Sequence, residues 1–88
     1  MLSAILSVLL QVTEGAANFS ELGAALAASL TAIGAAYGIS RIGVAAMEAI
    51  ARQPEASGDI RSNMIVSAAL IEGVSFFAVI VAALVLFV

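Results

Sequence analysis

Between Arg61 and Val88 the chain carries one carboxylic acid, Glu72, in a run of apolar, small and neutral polar residues. An ionised acid at the centre of a membrane helix costs about 2.5–3.5 kcal/mol on insertion scales, and a protonated one costs much less. Glu72 is therefore expected to be neutral where it faces lipid and ionised where water or a cation meets it. The chemistry open to such a group is to load, carry and release a proton. No cation lies beside it on its own segment, and Ser75, one turn on, offers one hydroxyl. The competing reading is a structural glutamic acid bonded to a neighbouring helix.

Little else in the chain can do chemistry. Its 88 residues include no cysteine, histidine or tryptophan. Disulfides, thiolate metal sites and thiol nucleophiles are thereby excluded. There is no phosphate-binding loop, nucleophile–base pair or metal cluster, so the chain alone is not expected to be an enzyme or to carry a cofactor. A net charge of −3 argues against a nucleic-acid partner. With 64% hydrophobic and 10% charged residues and a mean hydropathy of +1.21, the solvent expected for most of the surface is lipid.

Two apolar stretches position the acid. Leu22 to Ser40 contains no charge and is bounded by Glu21 and Arg41, while Met64 to Val88 is interrupted only by Glu72. A helix of about 20 apolar residues crosses a hydrocarbon core of about 30 Å. Lipid requires each backbone amide to be paired within its own segment, so both stretches are expected to be helices. Between them lies "ARQPEASGD", Ala51 to Asp59. Pro54 stops a helix and pushes Gln53 toward an extended conformation, and Ser57 or Asp59 is suited to cap the second helix. Glu48 and Arg52, four apart, support the last turn of the first helix.

The expected fold is all-α: a two-transmembrane-helix antiparallel hairpin that assembles into a homo-oligomeric ring. Its divisions are an N-terminal extension over 1–17, a first membrane helix over 18–50, a polar loop over 51–58 and a second membrane helix over 59–88. Asn18 with Glu21 three residues later has the form of a capping box that would open the first helix. The first twelve residues, "MLSAILSVLLQV", reach about 18 Å as a helix, too short to span. They read either as an extension at the outer interface or as a cleaved leader, though no Lys or Arg supplies an n-region. Arg41, Arg52 and Arg61 all lie toward the loop end, which places the loop in the cytoplasm and both termini outside.

Glu72 lies eight residues beyond Met64, about 12 Å into a core whose midplane is about 15 Å deep. Counting back from the loop gives Gly38 as the first-helix residue at the same depth. Arg41 falls nearly one turn closer to the cytoplasm and reads as an interface anchor whose stem snorkels outward, the alternative being a contact with the site of Glu72. The first helix carries small residues at every second position: Ala32, Gly34, Ala36, Gly38 and Ser40. Glycine weakens a helix by about 1 kcal/mol relative to alanine, and close backbone approach between helices compensates in membranes. Strict alternation spreads the small residues over a wide arc. More neighbours are needed than one hairpin supplies, so a homo-oligomer with this helix in a crowded inner layer is expected.

The alternating small residues, the loop "ARQPEA", the hairpin and a lone carboxyl eighteen residues after Pro54 resemble the c subunit, or proteolipid, of rotary F-type ATP synthases. The resemblance covers about residues 20 to 88. It implies a ring with helix 1 inside and helix 2 outside, in the bacterial inner (plasma) membrane. The ring turns against a stator a subunit that supplies an arginine and two aqueous half-channels. Glu72 takes a proton from one, rides the lipid-facing rim neutral, and releases it into the other. Ser75, Leu70 and Ile39 are expected to support that proton site. Arg52, Gln53 and Pro54 are expected to touch the central-stalk subunits gamma and epsilon. Sodium-binding members supply a helix-1 glutamine, hydroxyls just after the acid and a tyrosine five residues on. Here those positions hold Ile39, Gly73 and Val74, and Phe77. Sodium wants several oxygen ligands, so the resemblance implies a proton. Arg41 and the first nineteen residues depart from the usual pattern.

Two other classes compete. A small pore former such as a phage holin explains a hairpin oligomer but not the loop or the single midplane acid, and such proteins carry basic clusters that are missing here. A structural subunit of another complex would use Glu72 only to bridge helices.

Overall fold

The computed structural model describes the backbone of residues 1–88 and the side chains of all but residues 16–18. Helix α1 runs over Leu2–Arg52 and helix α2 over Ser57–Val85, joined through Gln53 and a single 3-10 turn at Pro54–Ala56. The two helices lie side by side as an antiparallel hairpin within extents of 80 × 17 × 6 Å. Both helical stretches are long and apolar enough to cross a membrane.

The turn follows from Pro54. Its ring leaves Gln53 at φ −135° and ψ 74°, outside the helical region. The Gln53 N–H still donates to the Ala49 carbonyl at 2.9 Å, and the Ala56 N–H closes the turn on the Gln53 carbonyl at 3.0 Å. Neither Ser57 nor Asp59 caps α2: the N-cap is Ala56, with no side-chain cap bond. Asp59 instead lies in the first turn, where a negative charge complements the helix dipole. Its carbonyl accepts from Asn63 Nδ2 at 3.0 Å.

Helix α1 does not begin at the proposed capping box. Its backbone is helical from Leu2 through residue 18, and the Asn18 side chain lies outside the described residues. No proline separates the apolar start from the span beyond it, so nothing stops the helix. Helix α2 ends opposite Glu21, which shares a groove with Leu86. The first twenty residues therefore extend past α2.

The seam between the helices has a mean spacing of about 3.6 residues, the period of a straight α-helix. On α1 it includes Ala24, Ala28, Thr31, Ala35, Gly38, Ile42 and Ala46, with Ile39 and Gly43 shielded beside it; on α2 it includes Met64, Ser67, Ile71, Ser75, Ala78 and Ala82, with Ala68 shielded beside it. One face of each helix thus meets the other over several turns. Of the alternating small residues only Gly38 joins the seam; Ala32, Gly34, Ala36 and Ser40 are exposed. A Cβ built on Gly38 meets Ile71 Cδ1 at 3.1 Å, whereas one on Gly34 meets nothing within 4 Å. Because Ile71 Cδ1 is the free end of a flexible side chain, Gly38→Ala should change hairpin stability by about 1 kcal/mol or less, crowding and helix propensity opposing each other. Thermal unfolding in detergent, followed by circular dichroism, checks this.

Among the described residues only Ala24, Ala46 and Ala82 are buried, and large apolar side chains from Leu22 to Phe87 stand exposed. A surface of that kind needs lipid or further copies of the chain to cover it.

Candidate proton-binding site

Glu72 sits on one flank of the hairpin, just beside the seam. Ile71, its predecessor, packs on Gly38, so the acid lies at the depth counted back from the loop. Two open grooves meet at its side chain. One, of about 390 Å³, runs toward the open end of the hairpin past Ile39, Ala36, Ala32, Ser75, Phe76 and Val79. The other, of about 320 Å³, runs toward the loop past Ile39, Ile42, Gly43, Ala68, Ala69 and Ile65. Ile39 lines both.

Both grooves are poor in oxygen. The Thr31 hydroxyl donates to the Ala27 carbonyl at 2.7 Å, and the Ser75 hydroxyl donates to the Ile71 carbonyl at 2.7 Å. Ser75 is beside the acid, but its hydrogen is engaged, leaving only lone pairs to offer. Such back-bonding to the preceding turn is the usual resting state of a hydroxyl on an apolar helix. Among the described residues no three His, Cys, Asp or Glu side chains gather as a metal site.

Leu70 does not join Glu72 within one hairpin. It lies in a groove of about 450 Å³ on the opposite flank, with Gly34, Val74 and Ile71. Two residues along a helix are about 200° apart, which carries Leu70 away from the acid. Sequence reasoning missed Phe76 and Val79 beside the site. Phe76 follows Glu72 by four residues, one turn on the same face, and that spacing was the available signal. Arg41 is exposed, three residues past Gly38 toward the loop. Arg52, Gln53 and Pro54 form the exposed tip of the hairpin, about 27 Å along α2 from Glu72 at the usual rise.

The geometry defines a membrane-type helical hairpin with the Glu72 carboxyl group exposed on an apolar flank. Residues 22–85 match the family of ATP synthase c subunits. The chain is 65% identical over 83 residues to the ATP synthase c subunit of Bacteroides thetaiotaomicron, covering 94% of this chain and 98% of that one. It is 60% identical over 83 residues to that of Phocaeicola vulgatus, with the same coverage. A more distant ATP synthase c subunit, from Cereibacter sphaeroides, is 46% identical over 68 residues, 77% of this chain and 82% of the other. The chain belongs to the ATP synthase c subunit family, whose members form the proton-translocating rotor of that complex.

Proposed function

We propose that this chain is a non-catalytic, proton-carrying subunit of a bacterial ATP synthase rotor, and that Glu72 is the group that carries the proton. The observation behind this reading is the placement of Glu72, the one carboxylate between Met64 and Val88, in oxygen-poor apolar grooves on an open flank of the hairpin. The arrangement suits a proton. A sodium ion would lack the several oxygen ligands it needs, since the nearby hydroxyls of Ser75 and Thr31 are turned to backbone carbonyls.

The two flanks are complementary in kind. One carries Glu72 and Ile39 beside Ala32 and Ala36; the other carries Gly34, Leu70 and Val74. Identical hairpins repeated about an axis meet flank to flank, one face against the other. Leu70 of one copy then approaches the Glu72 of the next, which gives Leu70 its supporting role across the boundary between copies. Small residues on the meeting faces permit close approach in lipid.

On this reading the outer rim carries neutral Glu72 through lipid. The stator a subunit supplies an arginine and the two aqueous paths where the acid loses and regains its proton. A charge crossing 100 mV gains about 2.3 kcal/mol, so several protons pass for each ATP made. The exposed tip at Arg52, Gln53 and Pro54 meets the gamma and epsilon subunits of the central stalk. The loop is cytoplasmic and both termini are outside, with the three arginines toward the loop end as the basis.

The test is ATP-driven ion movement by the intact complex in sealed vesicles. Acidification should proceed at the same rate with and without sodium and should collapse with a protonophore. Sodium uptake that survives a protonophore would overturn the assignment.

A further inference from the structure

Arg61 finds no partner within its own hairpin. It is exposed, as are Asp59 and Glu48, and among the described residues none of these three side chains closes an ion pair. Its place on α2 is nonetheless defined. Eleven residues make about three turns of helix, so Arg61 stands in line with Glu72, with Ile65 and Ala68 between them in the same row. Ile65, Ala68 and Glu72 line the loop-side groove. Arg61 therefore ends that row on the flank of the acid, and it is the one cation there.

Asp59 bears the same relation to the opposite flank. It precedes Leu70 by eleven residues and is in line with it through Asn63 and Val66. Leu70 shares its groove with Gly34 and Val74. Asn63 Nδ2 donates to the Asp59 carbonyl at 3.0 Å, which leaves the Asp59 carboxylate open. Glu48 adds a second acid on this flank, since its fourteen residues from Gly34 are about four turns. The depths also agree. Gly38 meets Ile71, and ten residues toward the loop from that contact reach Glu48 on α1 and Arg61 on α2. Asp59 is two residues, about 3 Å, nearer the loop.

On the ring reading, on which this inference rests, Leu70 of one copy approaches the Glu72 of the next. The same docking, carried three turns toward the loop, sets Asp59 beside Arg61. Rotation about the ring axis keeps both at the same depth in every copy. We propose that Arg61 of each copy pairs with Asp59 of the next, in a closed belt of ion pairs at the loop-side border of the apolar span. Small and apolar residues nearer Glu72 tolerate a slip of one copy along the other. A cation facing an acid does not, and like flanks brought together would set Arg61 against Arg61. The belt thus fixes which flank meets which, and at what depth.

The chain has no cysteine, so an Asp59→Cys, Arg61→Cys double variant tests the contact in intact rings. Residues two apart on a helix point about 200° apart and cannot bridge within one chain. Oxidation should therefore link copies into a ladder on a denaturing gel, and each single variant should give none. Charge exchange tests the pairing. Arg61→Asp and Asp59→Arg should each lower the recovery of intact rings in mild detergent about five-fold, and the two together should restore most of it. A double-cysteine chain without a ladder overturns the proposal. So does a double exchange no better than the single ones, or rescue of Arg61→Asp by Glu48→Arg alone. If the exchanged chains do not insert, the ladder decides. A wild-type chain that forms no ring would defeat the rotor reading itself, a different outcome from any of these.

Discussion

Glu72→Gln should reduce proton-driven ATP synthesis to background while leaving the hairpin inserted and the ring assembled. Glutamine keeps the shape of the protonated acid and both of its polar atoms, so the grooves past Ile39 and Phe76 are filled as before. It cannot ionise. The step in which the stator arginine exchanges a proton for an ion pair is lost, and with it the about 2.3 kcal/mol per charge that 100 mV supplies. The structural reading of Glu72 predicts otherwise, since an amide can bridge helices as a neutral acid does. ATP synthesis in inverted membrane vesicles, paired with a native gel of the extracted ring, separates the two.

The second large effect concerns assembly. Gly34→Leu should leave the hairpin folded and inserted yet abolish the ring. Gly34 faces open space in a single hairpin, and nothing lies within 4 Å of an added Cβ. Its groove, with Leu70 and Val74, is the flank assigned to the next copy. Overpacking costs about 1–3 kcal/mol where side chains must move. In a ring that cost recurs at every boundary, so closure fails. Gly38→Leu makes a useful contrast, because it strikes Ile71 inside the hairpin and should destabilise the monomer itself. Helicity by circular dichroism and oligomeric size by native mass spectrometry distinguish the outcomes. A Gly34→Leu ring of normal size would show that this flank is not the contact.

The hairpin and the depth of its acid were legible in the sequence because they depend on long, strong signals: an uncharged run, a proline and a single carboxylate. Counting back from the loop put Gly38 level with Glu72, and in the structure Gly38 meets Ile71, the residue before that acid. The seam was not legible. Alternating small residues point round most of α1, and only packing against α2 selects Gly38 from the five. The placement of Leu70 was obscured for a similar reason, since its flank acquires meaning only from a second copy. The expected start at Asn18 gave way to a helix from Leu2, because a capping motif does not stop a helix whose preceding residues are themselves good helix formers. The Ser57 and Asp59 caps were displaced when the 3-10 turn brought Ala56 to the N-cap position.

The claim on which the rest depends is that the Glu72 carboxyl is protonated while it faces lipid. A hydrophobic carbodiimide reacts with a protonated acid in hydrocarbon and spares ionised carboxylates in water. Treating intact rings at neutral pH and mapping the added mass by peptide sequencing should place it on Glu72, with Glu21, Glu48 and Glu55 unmodified and no protection by sodium. Absence of adduct on Glu72, or protection of it by sodium ions, would contradict the account.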